Sequence, residues 1–228
     1  MRVQGAALAL VLALVGVMPA AGAETLEAVL ARMDQTAPSF KGLSAQLRKV
    51  SHTAVINEDT TDTGNILLRR VHNDMRMLVE FTEPDPKSVA VHGDRVEIYY
   101  PKMLTVEEYD MGKNRALVDQ FLLVGFGTSG SQLSAAYQIK LLEPESIGGA
   151  NTIRLELIPK SKEVLKQLKK LELWLQEPGM YPVQQKINLS AGDYMLFTYT
   201  GVKLNAPHSD ADLKLKAPKN AKHVTPQK

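Results

Sequence analysis

The sequence predicts a mainly β domain of the α+β class: one antiparallel, meandering sheet of about eleven strands, with a few helices to cover it. Three observations carry this reading. Apolar residues recur at every second position in one run after another from Leu43 to Thr200. The connections are short and rich in Pro, Gly, Asn and Asp, as in Glu83-Pro84-Asp85-Pro86, His92-Gly93-Asp94 and Ala191-Gly192-Asp193. They lack the dozen or so residues that a parallel crossover needs. Helical spacing is confined to one opening segment and two inserts.

The elements follow in chain order. Met1 and Arg2 make a positive start, Gly5 to Met18 is uncharged and mostly Ala, Leu and Val, and Ala21-Gly22-Ala23 has the small-x-small form of a cleavage site. Residues 1–23 therefore read as a secretory signal removed after Ala23, against the competing reading of a retained anchor. The apolar run is shorter than the roughly 20 residues of a spanning helix. Residues 24–228 then form one domain. Thr25 is placed to cap a helix whose Leu26, Val29, Leu30 and Met33 fall on one face.

After Pro38 the period becomes two. Leu43, Ala45 and Leu47 alternate with Ser44, Gln46 and Arg48, and Met75, Met77, Val79 and Phe81 alternate with Arg76, Leu78 and Glu80. Further strands are expected at 64–70, 88–91, 96–100, 105–109, 137–142, 152–158, 171–176, 183–189 and 194–200. Short helices are expected at 114–125 and 131–136, and residues 217–228 read as a loose tail. Several strands are apolar on both faces, as in Ile66-Leu67-Leu68 and Met77-Leu78-Val79, so part of the second face must be covered. Met75, Met77 and Met103 suit either an adaptable ligand lining or ordinary core filling.

Composition and motifs narrow the function. The chain has no cysteine, so neither a disulfide framework nor lipid attachment through Cys is open to it. Its net charge of +2, about +1 without Arg2, is too balanced for a protein that neutralises phosphates, and no nucleic-acid partner is expected. Gly125-Phe-Gly-Thr-Ser-Gly130 matches the dinucleotide pattern G-x-G-x-x-G, but the room for a following helix is short and no βαβ unit surrounds it. It is not a nucleophile elbow either. His52, His72, His92, His208 and His223 show no metal-ligand spacing, and Glu107 and Glu108 point to opposite faces of a strand. Asn188-Leu189-Ser190 fits a glycosylation sequon, relevant only in a eukaryotic secretory pathway. The lysines at 160, 162, 166, 169 and 170 form either a solvated face or a docking surface for anionic lipid or an acidic partner. No cofactor, metal or catalytic set is indicated, and binding fits better than catalysis.

A family resemblance rests on the order of these features. The opening helix, Phe40, Gly64-Asn-Ile-Leu-Leu-Arg-Arg70, the Met75–Phe81 strand with Glu83-Pro84, and Ile98-Tyr99-Tyr100-Pro101 resemble the periplasmic lipoprotein carrier LolA and its relatives. Phe121-Leu122-Leu123, Leu157-Ile158-Pro159-Lys160, Trp174 and Tyr181-Pro182 are similar to the rest of that pattern. The resemblance implies an incomplete barrel of eleven antiparallel strands with helices as a lid over an apolar cavity for acyl chains. It implies that Val96, Ile98 and Tyr100 face inward beside Met75, Met77, Val79 and Phe81. Leu26, Val29, Leu30, Met33, Leu117 and Phe121 would close over the empty cavity. By its spacing from Gly64, Arg70 matches the family's lid-switch arginine, with Arg69 as an adjacent competitor and Val71 where the family often has Pro. The function implied is a monomeric periplasmic carrier of acylated lipoproteins or lipids, taking cargo from an inner-membrane donor complex to an outer-membrane acceptor. The alternative is a regulatory module that uses the same half-barrel to sense lipoproteins or bind a protein.

Overall fold

The computed structural model describes residues 24–72, 74–112 and 123–226. Residues 1–23, which hold the expected signal, and most of the expected helix at 114–125 lie outside them; Val124 and Gly125 form a turn. No described helix is long and apolar enough to cross a membrane. The helices are α1 (Leu26–Thr36), α2 (Gly130–Ala136) and the one-turn α3 (Lys162–Leu165). The strands are β1 (Gly42–Thr53), β2 (Glu58–Val71), β3 (Asp74–Glu83), β4 (Lys87–His92), β5 (Arg95–Tyr100), β6 (Thr105–Asp110), β7 (Tyr137–Ile147), β8 (Ala150–Pro159), β9 (Leu168–Gln176), β10 (Tyr181–Leu189), β11 (Tyr194–Leu204) and β12 (Lys222–Val224).

All twelve strands form one sheet in the order β12-β6-β5-β4-β3-β2-β1-β11-β10-β9-β8-β7. It consists of two antiparallel meanders, β1 to β6 and β7 to β11, zipped together along β1 and β11. The two outermost strands, β7 and β12, do not pair, so the sheet curls into a half-barrel without closing. Strand alternation sends one set of side chains to the concave side. There Leu43, Leu47, Ile66, Leu68, Met77 and Val79 join Leu171, Leu173, Leu175 and Ile187 in one core with Val29 and Met33 of α1. The helix expected after Thr25 is capped as its sequence suggests: the Ala28 N–H donates to Thr25 Oγ1 at 3.2 Å. In α2, Ser129 and Gln132 make a reciprocal capping box.

The convex side explains the apolar surplus on the second face of β2 and β3. Leu67, Leu78 and Ala90 meet Leu213 and Leu215, while Tyr99 and Val106 meet Leu215, Ala217 and Ala221. The segment expected as a loose tail is instead a strap across the outer face, and this corrects the sequence reading. Its three-residue β12 runs parallel to β6, and the Lys222 N–H donates to Leu104 O at 2.8 Å. Arg69 binds Asp210 at 2.5 Å and Arg76 binds it at 3.4 Å, pinning the start of the strap to β2 and β3. The strap lacks periodicity because it follows the outer surface as irregular chain, satisfying few backbone groups in regular ladders.

Candidate functional site

The concave face of the half-barrel is the candidate site, and its cover is built from α1, α2 and the loop before α2. α1 and α2 lie together over it because Gly130 removes the obstacle between them: a Cβ there would run into Leu30 O. Asp34 of α1 then accepts hydrogen bonds from the Ser131 N–H and from Ser131 Oγ, each at 3.0 Å. The first of these, chiefly, holds the Asp34 carboxyl below the usual carboxylate range. Arg32 pairs with Glu24 and with Glu177 of the β9–β10 turn, tying α1 to the barrel rim.

The loop from Leu123 to Ser129 drops from the helices into the barrel. Phe126 is buried between Phe40, with ring centroids 6.5 Å apart, and Tyr199, 5.3 Å away and edge-on. Below it, Gln185 Nε2 donates to Val124 O at 2.7 Å, and Tyr199 Oη donates to Gln185 Oε1 at 2.5 Å. Burial pushes the Tyr199 hydroxyl's pKa upward, so it stays a neutral donor. At the rim, Arg70 Nη2 donates to Gly127 O at 2.8 Å and Nη1 donates to Ala37 O at 3.3 Å. One guanidinium thereby ties the end of α1 to the loop before α2. Gly127 has φ +64, and a Cβ on it would sit 2.5 Å from Arg70 Nη2, so only glycine lets the arginine in.

An open cavity of about 650 Å³ lies beside this latch, lined by Arg70, His72, Met75, Phe126, Thr128 and Gln132 among others. Of the residues assigned to the lining and lid, Val29, Met33, Met77, Val79 and Phe81 are buried in the concave core, and Leu26, Leu30, Met75 and Val96 pack on its margin. Ile98 and Tyr100 share the face of Val96 near the β6 edge, where Ile98 opposes Glu107. Tyr109 Oη donates to Glu107 at 2.7 Å, which raises the Tyr109 pKa, while burial chiefly raises that of Tyr100. That end of the face is thus more polar than the alternation implied. Leu117 and Phe121 lie outside the described residues. Met103 is 61% exposed on the β5–β6 turn and takes no part in the lining. Between the two arginines, Arg70 faces the lid and Arg69 faces the strap, as adjacent residues in a strand must.

The Gly125–Gly130 motif is the covering loop, feeding a seven-residue helix and then the antiparallel β7. The lysine patch is largely spoken for: Lys160 donates to Ser134 O, Lys166 pairs with Glu163, and Lys170 pairs with Glu156 and Glu172. His52, His92 and His223 each meet a single carboxylate, and no group of three metal-ligating side chains occurs among the described residues. Sequence reasoning missed Asp34, Phe126, Gln185 and Tyr199. Gln185 had a visible signal: it is a polar residue at an inward position between Val183 and Ile187.

No family model matches the sequence, and none of the curated proteins does. Among solved structures, an uncharacterized conserved protein from Thermus thermophilus is similar with TM-score 0.55 at 13% identity, over 89% of this chain and 99% of that one. MucB gives 0.53 at 16% identity, over 84% of this chain and 62% of its own, so the chain spans less than two thirds of MucB. A LolA superfamily protein from Nitrosomonas europaea gives 0.43 at 15% identity, over 85% and 99%. The fold is the one shared with MucB and the Thermus protein. At these identities the likeness is one of fold alone.

Proposed function

We propose that this protein is a periplasmic carrier that shelters the acyl chains of lipoproteins or free lipids on the concave face of its half-barrel and moves them toward the outer membrane. The observation that carries the reading is a continuous apolar concave face under a cover latched by Arg70 to two backbone carbonyls. A chain of about fourteen methylenes loses on the order of 11 kcal/mol when exposed to water, at about 0.8 per group. Such a face supplies a substitute solvent. Because a bilayer solvates the same chain equally well, transfer into the protein is near neutral. Direction then comes from an inner-membrane donor and a tighter-binding outer-membrane acceptor, with this protein acting as a monomeric shuttle and not as an enzyme.

Loading requires the cover to lift, since Phe126 and Val124 now occupy the space an acyl chain would take. That filled interior favours a second reading, a regulatory module that senses lipid or binds a protein partner with the same fold. Native mass spectrometry with lipid extraction, on protein exported and purified without detergent, separates the two. Bound lipid or acylated peptide at near-stoichiometric occupancy supports the carrier. An empty protein that also refuses a fluorescent acyl probe refutes it and leaves the protein-binding module.

A further inference from the structure

Away from its two polar ends, at Glu107 and Tyr109 and at Lys49 and Asp62, the concave face is apolar except where Gln185 and Tyr199 meet, and this pair sits in the β10–β11 half of the floor. Gln185 is 1% exposed and Tyr199 5% exposed. In register, Gln185 lies between Leu173 of β9 and Phe197 of β11, both buried. Its amide is oriented, not free: Tyr199 Oη donates to Oε1, which turns Nε2 toward the covering loop. The acceptor it finds there, Val124 O, belongs to the very segment that must leave for a ligand to enter. A buried amide N–H whose acceptor departs is costly to leave unpaired, so the site favours an incoming group that restores the bond.

We infer that Gln185 is a specificity-determining residue which, once the cover lifts, donates to a carbonyl of the ligand in place of Val124 O. Resting on the carrier reading, the inference narrows the cargo to lipids whose chains are attached through ester or amide carbonyls, as against bare hydrocarbon or ether-linked chains. Tyr199 is its positioning residue: it holds the amide with the N–H toward the ligand. A site built to hydrogen-bond a polar group discriminates against the analogue lacking it, whereas an apolar slot does not.

The test is displacement of a fluorescent alkyl dye that carries no carbonyl. The competitors are a dipalmitoyl glyceride and its dihexadecyl ether analogue, which differ only in the carbonyls. The protein should bind the ester about five-fold more tightly, the factor one neutral hydrogen bond is worth. Gln185→Met, similar in length but without donors, should bind both equally, the ether gaining about five-fold because no buried amide is then left unpaired. Tyr199→Phe, which leaves the amide free to turn, should lower the preference to about two-fold, and it serves also where Gln185→Met does not fold. Equal binding of ester and ether by the unaltered protein overturns the inference and leaves the carrier reading standing. A preference that survives in both variants assigns the carbonyl contact elsewhere and overturns it too. Failure of both lipids to displace the dye refutes the carrier reading, and the inference falls with it.

Discussion

Arg70 is the residue on which the closed state most visibly turns. Its guanidinium gives two charge-assisted bonds to Ala37 O and Gly127 O across the seam between α1 and the covering loop. Arg70→Leu removes both while leaving the barrel floor intact. Opening should become at least about ten-fold more frequent, the change that roughly 1.4 kcal/mol brings, even if most of the bond energy is recovered as hydration. Stopped-flow uptake of a fluorescent acyl probe reads this directly, and an unchanged uptake rate takes Arg70 out of the latch. Gly130 acts at the same scale. Gly130→Ala sets a methyl against Leu30 O, so α1 and α2 must separate. A loss of about 1–3 kcal/mol is expected in chemical denaturation, as for other overpacked contacts.

Among the elements, the strap is the one with a role the periodicity concealed. Leu213 is 4% exposed against Leu78 and Ala90, yet its cluster is small and lies near the surface. Leu213→Ala should therefore cost about 2 kcal/mol, the low end for a buried leucine, measured by urea denaturation. Removal of residues 206–228 should do more than destabilise. It uncovers Leu67, Leu78 and Tyr99 together and strips β12 from the edge of β6, so the shortened protein should self-associate in size-exclusion chromatography. A monomeric, equally stable truncation would show that the strap is only an appendage. The cover is different in kind: α1 and α2 are joined by Asp34 and Ser131, and should lift as a pair.

For the molecule as a whole, pH stability has an identifiable carboxylate on the convex sheet. Glu172 is 6% exposed and meets Arg154 at 2.6 Å and Lys170 at 3.2 Å. Burial alone would raise its pKa, but the two cations outweigh it and the net shift is downward. A carboxyl depressed in the folded state adds stability above its unfolded pKa, near 4.5, and that contribution is lost as pH falls through the lower folded value. Melting curves between pH 7 and about pH 3 should therefore fall more steeply for the unaltered protein than for Glu172→Gln. At pH 7 the variant should lose about 2 kcal/mol. That is less than for a fully buried pair, because the Arg154 and Lys170 side chains keep about a third of their surface in water. Equal acid slopes would remove Glu172 from the account.

The antiparallel meanders, the capped opening helix and the alternating apolar positions are legible in the residues alone, because they depend on periods of 2 and 3.6 and on local turn chemistry. So is the placing of Arg70 and Arg69 on opposite faces, which follows from strand alternation once β2 is recognised. The spacing from Gly64 favours Arg70 over Arg69, but it does not say what Arg70 meets. Those partners emerge from the folded chain, because Ala37 O and Gly127 O are brought to Arg70 by segments 33 and 57 residues away. The same holds for the strap, whose irregular chain has no period to betray that it covers the second face of β2 and β3. It holds again for Gln185 and Tyr199, legible as polar residues at inward positions but not as a pair, since their meeting depends on the β10–β11 register and on the loop between the two meanders closing over them.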